Sequence, residues 1–129
     1  MKKLLATVIA SAALLSPVAQ ADLTEDLQNI CTIVKNNDKG ELRKKMRGVK
    51  DDYRMRLGDF YEGVSCGGQS LIRYAMLNGA NDVGAYMVGQ MGKSDLSKPE
   101  TDGMTLQQWA DSNGYLASDT GKELLDRLN

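Results

Sequence analysis

The stretch CGGQSLIRYAMLNGANDVGAYM, residues 66–87, decides the fold. It leads from a glycine pair into an apolar segment with Ala75 at its middle, turns at Asn78-Gly79, and enters a second apolar segment. Leu71, Tyr74 and Ala75 recur at i, i+3 and i+4, which places them on one face of a helix. Ser70 stands where a helix N-cap is needed, and Asn78-Gly79 offers a left-handed stop. Val83, Tyr86 and Met87 repeat the helical spacing in the second segment.

The same pattern returns further along. SLIRYAMLNGA (70–80) aligns with TLQQWADSNGY (105–115) at an offset of 35. Ser70 falls on Thr105, Leu71 on Leu106, Tyr74 on Trp109, Ala75 on Ala110, and Asn78-Gly79 on Asn113-Gly114. Gly68 and Gly103 precede the two units alike, and Leu124, Leu125 and Leu128 furnish the later second helix. A weaker copy, LQNICTIVKNND (27–38), aligns with LIRYAMLNGAND (71–82) at an offset of 44. That alignment sets Cys31 on Ala75, Asn37 on Asn81 and Asp38 on Asp82. A period of this length reads as stacked helical units. The expectation is an all-α domain of about three stacked helical hairpins, with Ala75 and Ala110 small where a neighbouring helix comes close. Two generic α-hairpins would give part of the same signal.

Thr105, Ala110 and Gly114, followed by a second helix, resemble the ankyrin repeat. Leu71 and Leu106 stand where that repeat has proline, and its histidine is absent. The resemblance implies an ankyrin-like stack that binds partners through its loops and concave helix face. ELRKKM (41–46) with GVSCGGQSLIRYA (63–75) resembles a family of small secreted gammaproteobacterial proteins of unknown function, DUF3718, over residues 27–88. That resemblance implies an exported compartment and a disulfide, and no activity.

The chain opens MKKLLATVIASAALLSPVAQAD. Lys2 and Lys3, the apolar run Leu4–Leu15 and the small residues Ala19 and Ala21 form the pattern of a secretory signal peptide, residues 1–21. The apolar run is too short for a comfortable membrane span. The expected mature domain, 22–129, carries fourteen basic against seventeen acidic residues. A soluble periplasmic protein that does not span the membrane follows. An oxidising compartment and an even cysteine count favour a Cys31–Cys66 disulfide.

There is no histidine. Its absence removes Ser-His-Asp and Cys-His catalysis and the commonest transition-metal ligand. No phosphate-binding glycine loop or zinc-protease motif is present. No cofactor, metal site or catalytic residue is assigned. Met87 and Met91 could supply thioethers to copper(I), but methionine at helical spacing is ordinary core filling.

Residues 39–62 carry Leu42, Met46, Val49, Tyr53, Leu57 and Phe60 as a helical apolar stripe, with a break expected near Gly48 and a restart capped by Asp51 or Asp52. Cations cover much of the remaining surface. Residues 39–56 hold a net +5, and the rest of 22–129 holds −8. Arg43, Lys44, Arg47, Lys50 and Arg54 are therefore candidate binding residues, against the plainer reading of a solvated helix face. Residues 92–103 read as one long loop whose Asp95, Glu100 and Asp102 are candidate recognition residues. The first functional reading is a non-catalytic protein-binding module, such as an inhibitor, an immunity-type protein or an envelope accessory protein. The alternative is a binder of anionic lipid, lipopolysaccharide or another anionic envelope surface through 39–56. A histidine-free, carboxylate-based hydrolase stands third, and nucleic acid is not expected as a partner.

Overall fold

The computed structural model describes residues 24–129; the expected signal peptide and Asp22 lie outside the described residues. The described chain is all-helical, without strands. Helix α1 covers 24–35 and α2 spans Lys39–Tyr53. α3 (Leu57–Phe60) leads through a 3-10 turn (Tyr61–Gly63) toward α4 (Leu71–Leu77) and α5 (Asn81–Gly89). The short α6 (Lys93–Leu96) precedes α7 (Leu106–Asn113) and α8 (Asp119–Leu128).

The pairs α1/α2, α4/α5 and α7/α8 are three hairpins joined by tight turns. Like helices face like: α4 packs on α7, and α5 lies between α2 and α8, with its broadest contact on α8. The seam is mainly apolar, with Ile30, Val34, Leu42, Leu71, Ile72, Val83, Met87, Leu106 and Leu124 at 0–1% exposure. Ala75 and Ala110 are completely buried, as their small size requires.

The two later hairpins share one turn geometry. Gly79 (φ 64°) and Gly114 (φ 79°) take the left-handed conformation that stops α4 and α7, a region most L-residues avoid. Just beyond each stop, Ala80 N–H donates to Ala75 C=O and Tyr115 N–H to Ala110 C=O, both at 2.8 Å. The Asn78 and Asn113 amides each donate to the carbonyl four residues back, again both at 2.8 Å. Thr105 caps α7 in a reciprocal box with Gln108, whereas Ser70 makes no side-chain cap on α4.

The first hairpin shows the same turn in a shifted register. Asn37 (φ 55°) occupies the left-handed position, and Asp38 N–H donates to Ile33 C=O. By backbone geometry Asn37 therefore corresponds to Gly79, and Ile33 rather than Cys31 corresponds to Ala75. The offset of 44 is corrected to 42 for the turn, because asparagine can replace glycine there. The original pairing of Asn37 with Asn81 survives for another reason. Asn37 Oδ1 accepts from the backbone N–H of Asp82 (2.9 Å) and Val83 (3.1 Å) in the first turn of α5. Asn81 Oδ1 accepts from the backbone N–H (3.4 Å) and hydroxyl (3.2 Å) of Thr120 in the first turn of α8. Each of the first two hairpins thus lends an asparagine to the first turn of the second helix of the next. α5 depends on this loan, since its own N-cap residue is Ala80.

The expected disulfide is present. Cys31 on α1 is bonded to Cys66, with Cα atoms 5.6 Å apart, so α1 is tied to the glycine turn that precedes α4. Cys66 and Gln69 exchange backbone hydrogen bonds across Gly67 (φ 59°) and Gly68 (φ 82°). Two successive left-handed residues are what such a tight turn demands.

Candidate functional site

Helix α2 presents the cations. Asp38 Oδ1 caps it by accepting from Glu41 N–H at 3.1 Å, and Leu42 and Val49 anchor it in the core. It runs unbroken through Gly48, which corrects the expected interruption. Helix-forming neighbours and buried Val49 outweigh the cost of about 1 kcal/mol for one glycine. The break comes at Arg54, whose φ of 57° reverses the chain, and Arg54 N–H closes α2 on Lys50 C=O. The helix restarts at Leu57, where Asp59 accepts from Arg56 N–H at 2.8 Å; Asp51 and Asp52 remain inside α2 and cap nothing.

This reversal folds residues 54–57 back beside α2 and α5. A shallow hollow of about 410 Å³ results, with Arg43, Met46, Arg47 and Lys50 on one wall. Met55, Arg56 and Leu57 form a second wall, and Tyr86, Gly89 and Gln90 of α5 a third. The Arg43 guanidinium lies over the Tyr86 ring, 5.7 Å from its centre, a cation–π contact. An adjoining hollow of about 380 Å³ is lined by Lys50, Asp51, Arg54 and Arg56.

Among the described residues, Arg43, Arg47, Lys50, Arg54 and Arg56 form no ion pair. The neighbouring cations are engaged: Lys44 with Glu41 at 3.7 Å, and Lys45 with Asp26 at 3.3 Å. Of the sequence candidates, Arg43, Arg47, Lys50 and Arg54 meet at this double groove, and Lys44 stands apart from it. Arg56, Tyr86 and Gln90 were missed. Only the chain reversal at Arg54 brings Arg56 alongside, and no local pattern announces a left-handed arginine.

The acidic candidates lie elsewhere. Residues 92–103 are not one open loop, because α6 interrupts them and buries Leu96. Asp95 pairs with Lys98 at 3.5 Å on the surface. Glu100 and Asp102 are the counter-ions of Arg73, a 5% exposed arginine on α4. Arg73 reaches Asp102 through two nitrogens, at 2.6 and 3.0 Å, and donates to Met104 C=O at 3.1 Å. Its Nε lies 2.8 Å from Glu100 Oε1, off the N–H direction, so that contact is one of charge. The guanidinium also covers the Trp109 ring at 5.1 Å, and the Tyr61 hydroxyl donates to Glu100 at 2.9 Å.

The cluster sets its own protonation. Arg73's hydrogen bonds hold Asp102 down to about 2. Burial first, then the Glu100 charge, pushes the Tyr61 phenol far above its usual range. Burial works against the charge on Arg73, but Asp102 and Glu100 prevail and raise it. Every charge here is spent on joining α4 to the chain before α7, so the cluster is structural glue. The unusual signal was Arg73 itself, a lone charge within LIRYAML.

Among the described residues, no three His, Cys, Asp or Glu side chains converge as a metal site, and no helix is long and apolar enough to cross a membrane. The family described as "Protein of unknown function (DUF3718)" matches residues 30–98, more than half of the chain, and the chain belongs to that family. The matched region contains both cysteines and every residue of the double groove. No curated protein and no solved structure matches the chain.

Proposed function

We propose that this member of the DUF3718 family is a non-catalytic binding protein of an exported compartment, and that the groove between α2, α5 and residues 54–57 takes an anionic group. One observation carries the reading: among the described residues, five cations, none in an ion pair, gather around one pair of adjoining hollows whose lining holds a single carboxylate, Asp51. Like charges held together repel, and an anion relieves that repulsion. Arginine forks suit phosphate and carboxylate oxygens. The acids of 92–103, first read as recognition residues, are mostly committed to Arg73, so the groove takes precedence over that segment.

The hairpin stack supports the likeness to ankyrin repeats at the level of architecture only. The leader-like residues 1–21 and the disulfide support export; mass spectrometry of the protein recovered from its native cell fraction should give a chain beginning at Asp22. The anion-binding reading is tested by titrating sodium pyrophosphate into isotopically labelled protein. Amide shifts should concentrate on 43–57 and 86–90 and vanish in the Arg43→Glu/Arg47→Glu/Lys50→Glu variant. Shifts confined to other surfaces, or none, would reject the groove as an anion site.

A further inference from the structure

We infer that the anion taken by the groove is the phosphate of an anionic phospholipid headgroup at a bilayer surface, bound while the lipid stays in its membrane. The inference rests on the anion-binding reading and adds the source of the anion.

The lining is the first reason. Arg43, Arg47, Lys50 and Arg56 are interleaved with Met46, Met55 and Tyr86, all half-buried, over buried Leu57. A free inorganic anion makes no use of the apolar half. A headgroup at the water–acyl boundary presents a phosphate with apolar surface directly beneath it. Methionine adapts to irregular apolar partners, and tyrosine favours that boundary because its ring is apolar and its hydroxyl wet.

The shape is the second reason. Small-molecule sites usually enclose most of their ligand, whereas both hollows are shallow and open side by side. They share Lys50 and Arg56. Two adjoining hollows on one face suit two neighbouring headgroups of a surface, where the second contact is made at high local concentration.

The charge layout is the third. Residues 39–56 hold +5, and the rest of 22–129 holds −8. An anionic bilayer attracts only the first and repels the second, so the field itself turns the groove toward the membrane. Arg54 adds a local sign of the same demand. Its left-handed backbone would suit glycine, yet the position carries an arginine in the second hollow.

The test is co-sedimentation with vesicles of phosphatidylcholine alone and of phosphatidylcholine mixed with phosphatidylglycerol. Binding should require phosphatidylglycerol and weaken steeply with salt. The Arg43→Glu/Arg47→Glu/Lys50→Glu variant should lose it with an unchanged circular dichroism spectrum. Arg54→Gly should weaken it about five-fold, the typical effect of one basic residue near an anionic surface, while raising the melting temperature. Met55→Gln should weaken vesicle binding more than it weakens pyrophosphate binding. Groove shifts with pyrophosphate but no partition to phosphatidylglycerol vesicles would overturn the lipid inference and leave anion binding standing. Equal binding to both vesicle types, or binding of polyglutamate in preference to vesicles, would overturn it as well. Vesicle binding untouched by the triple reversal, with no pyrophosphate shifts in the groove, would reject both readings.

Discussion

Replacing Arg73 by methionine should be among the costliest single changes in this chain. Methionine keeps most of the volume over Trp109 and removes the charge. Glu100, whose side chain is 13% exposed, then loses its cation in the core. Breaking a buried pair from one side costs about 3–5 kcal/mol. Tyr61 continues to donate to Glu100, which places the loss at the lower end, about 3 kcal/mol. Asp102, 43% exposed, stays hydrated and adds little. In urea, with a slope of roughly 1.5 kcal/mol per M, the midpoint should fall by about 2 M. A second substitution, Glu100→Gln, removes the stranded charge but keeps an acceptor for Tyr61, and should restore at least half of the loss. If Arg73→Met costs under about 1 kcal/mol, or the double variant is no more stable than the single, the charge balance drawn for this cluster is wrong.

Asp102 titrates near 2 instead of the usual 3.8 because Arg73 donates to it, so its stabilising contribution is complete above 3.8 and fades as pH falls toward 2. Its carboxyl resonance should report a midpoint near 2 in the native chain and a higher one in Arg73→Met, still below the ordinary carboxylate value because the Met104 N–H continues to donate to it. Asn37→Gly keeps the left-handed turn and loses the cap on α5, for about 1 kcal/mol; Asn37→Ala loses both and should cost about 2 kcal/mol in chemical unfolding. At Gly121 an added methyl meets the backbone carbonyls of Tyr115 and Leu116, which cannot swing aside, so Gly121→Ala should lose about 3 kcal/mol by thermal melting. Reduction of Cys31–Cys66 should lower stability by about 3 kcal/mol, read as a urea-midpoint difference with and without reductant.

The second and third hairpins were legible because their signals are backbone requirements. Gly79 and Gly114 serve left-handed turns, and Ala75 and Ala110 lie where helices touch, so the same residue types recur at one spacing. The first hairpin was legible less sharply. Asn37 does glycine's work in the turn and asparagine's work in capping α5, and these two duties follow different offsets. The end of α2 was misplaced because Gly48 looked like a breaker and Arg54 did not. The cations of α2 could be read as a run, but their meeting with Arg56 and Tyr86 depends on chain reversal and packing on α5. Glu100 and Asp102 were misjudged for a similar reason: their partner lies on another helix, 27 and 29 residues back at Arg73.

The borrowed asparagine caps give the stack a direction. α5 receives Asn37 from the hairpin before it, and α8 receives Asn81 from α5's own first turn, while α8 keeps Ser118 as a local cap. Support therefore flows from the amino end toward the carboxyl end. Unravelling α7–α8 leaves the cap of α5 intact, whereas unravelling the turn at Asn37 uncaps α5 and through it loosens the residue that steadies α8. Amide hydrogen exchange would see this in the caps: damage at the Asn37 turn lowers protection in the first turn of α5, whereas damage to α7–α8 leaves that turn capped although it strips α5 of its broadest packing contact. A helical stack of this kind has an upstream and a downstream, although its hairpins look alike.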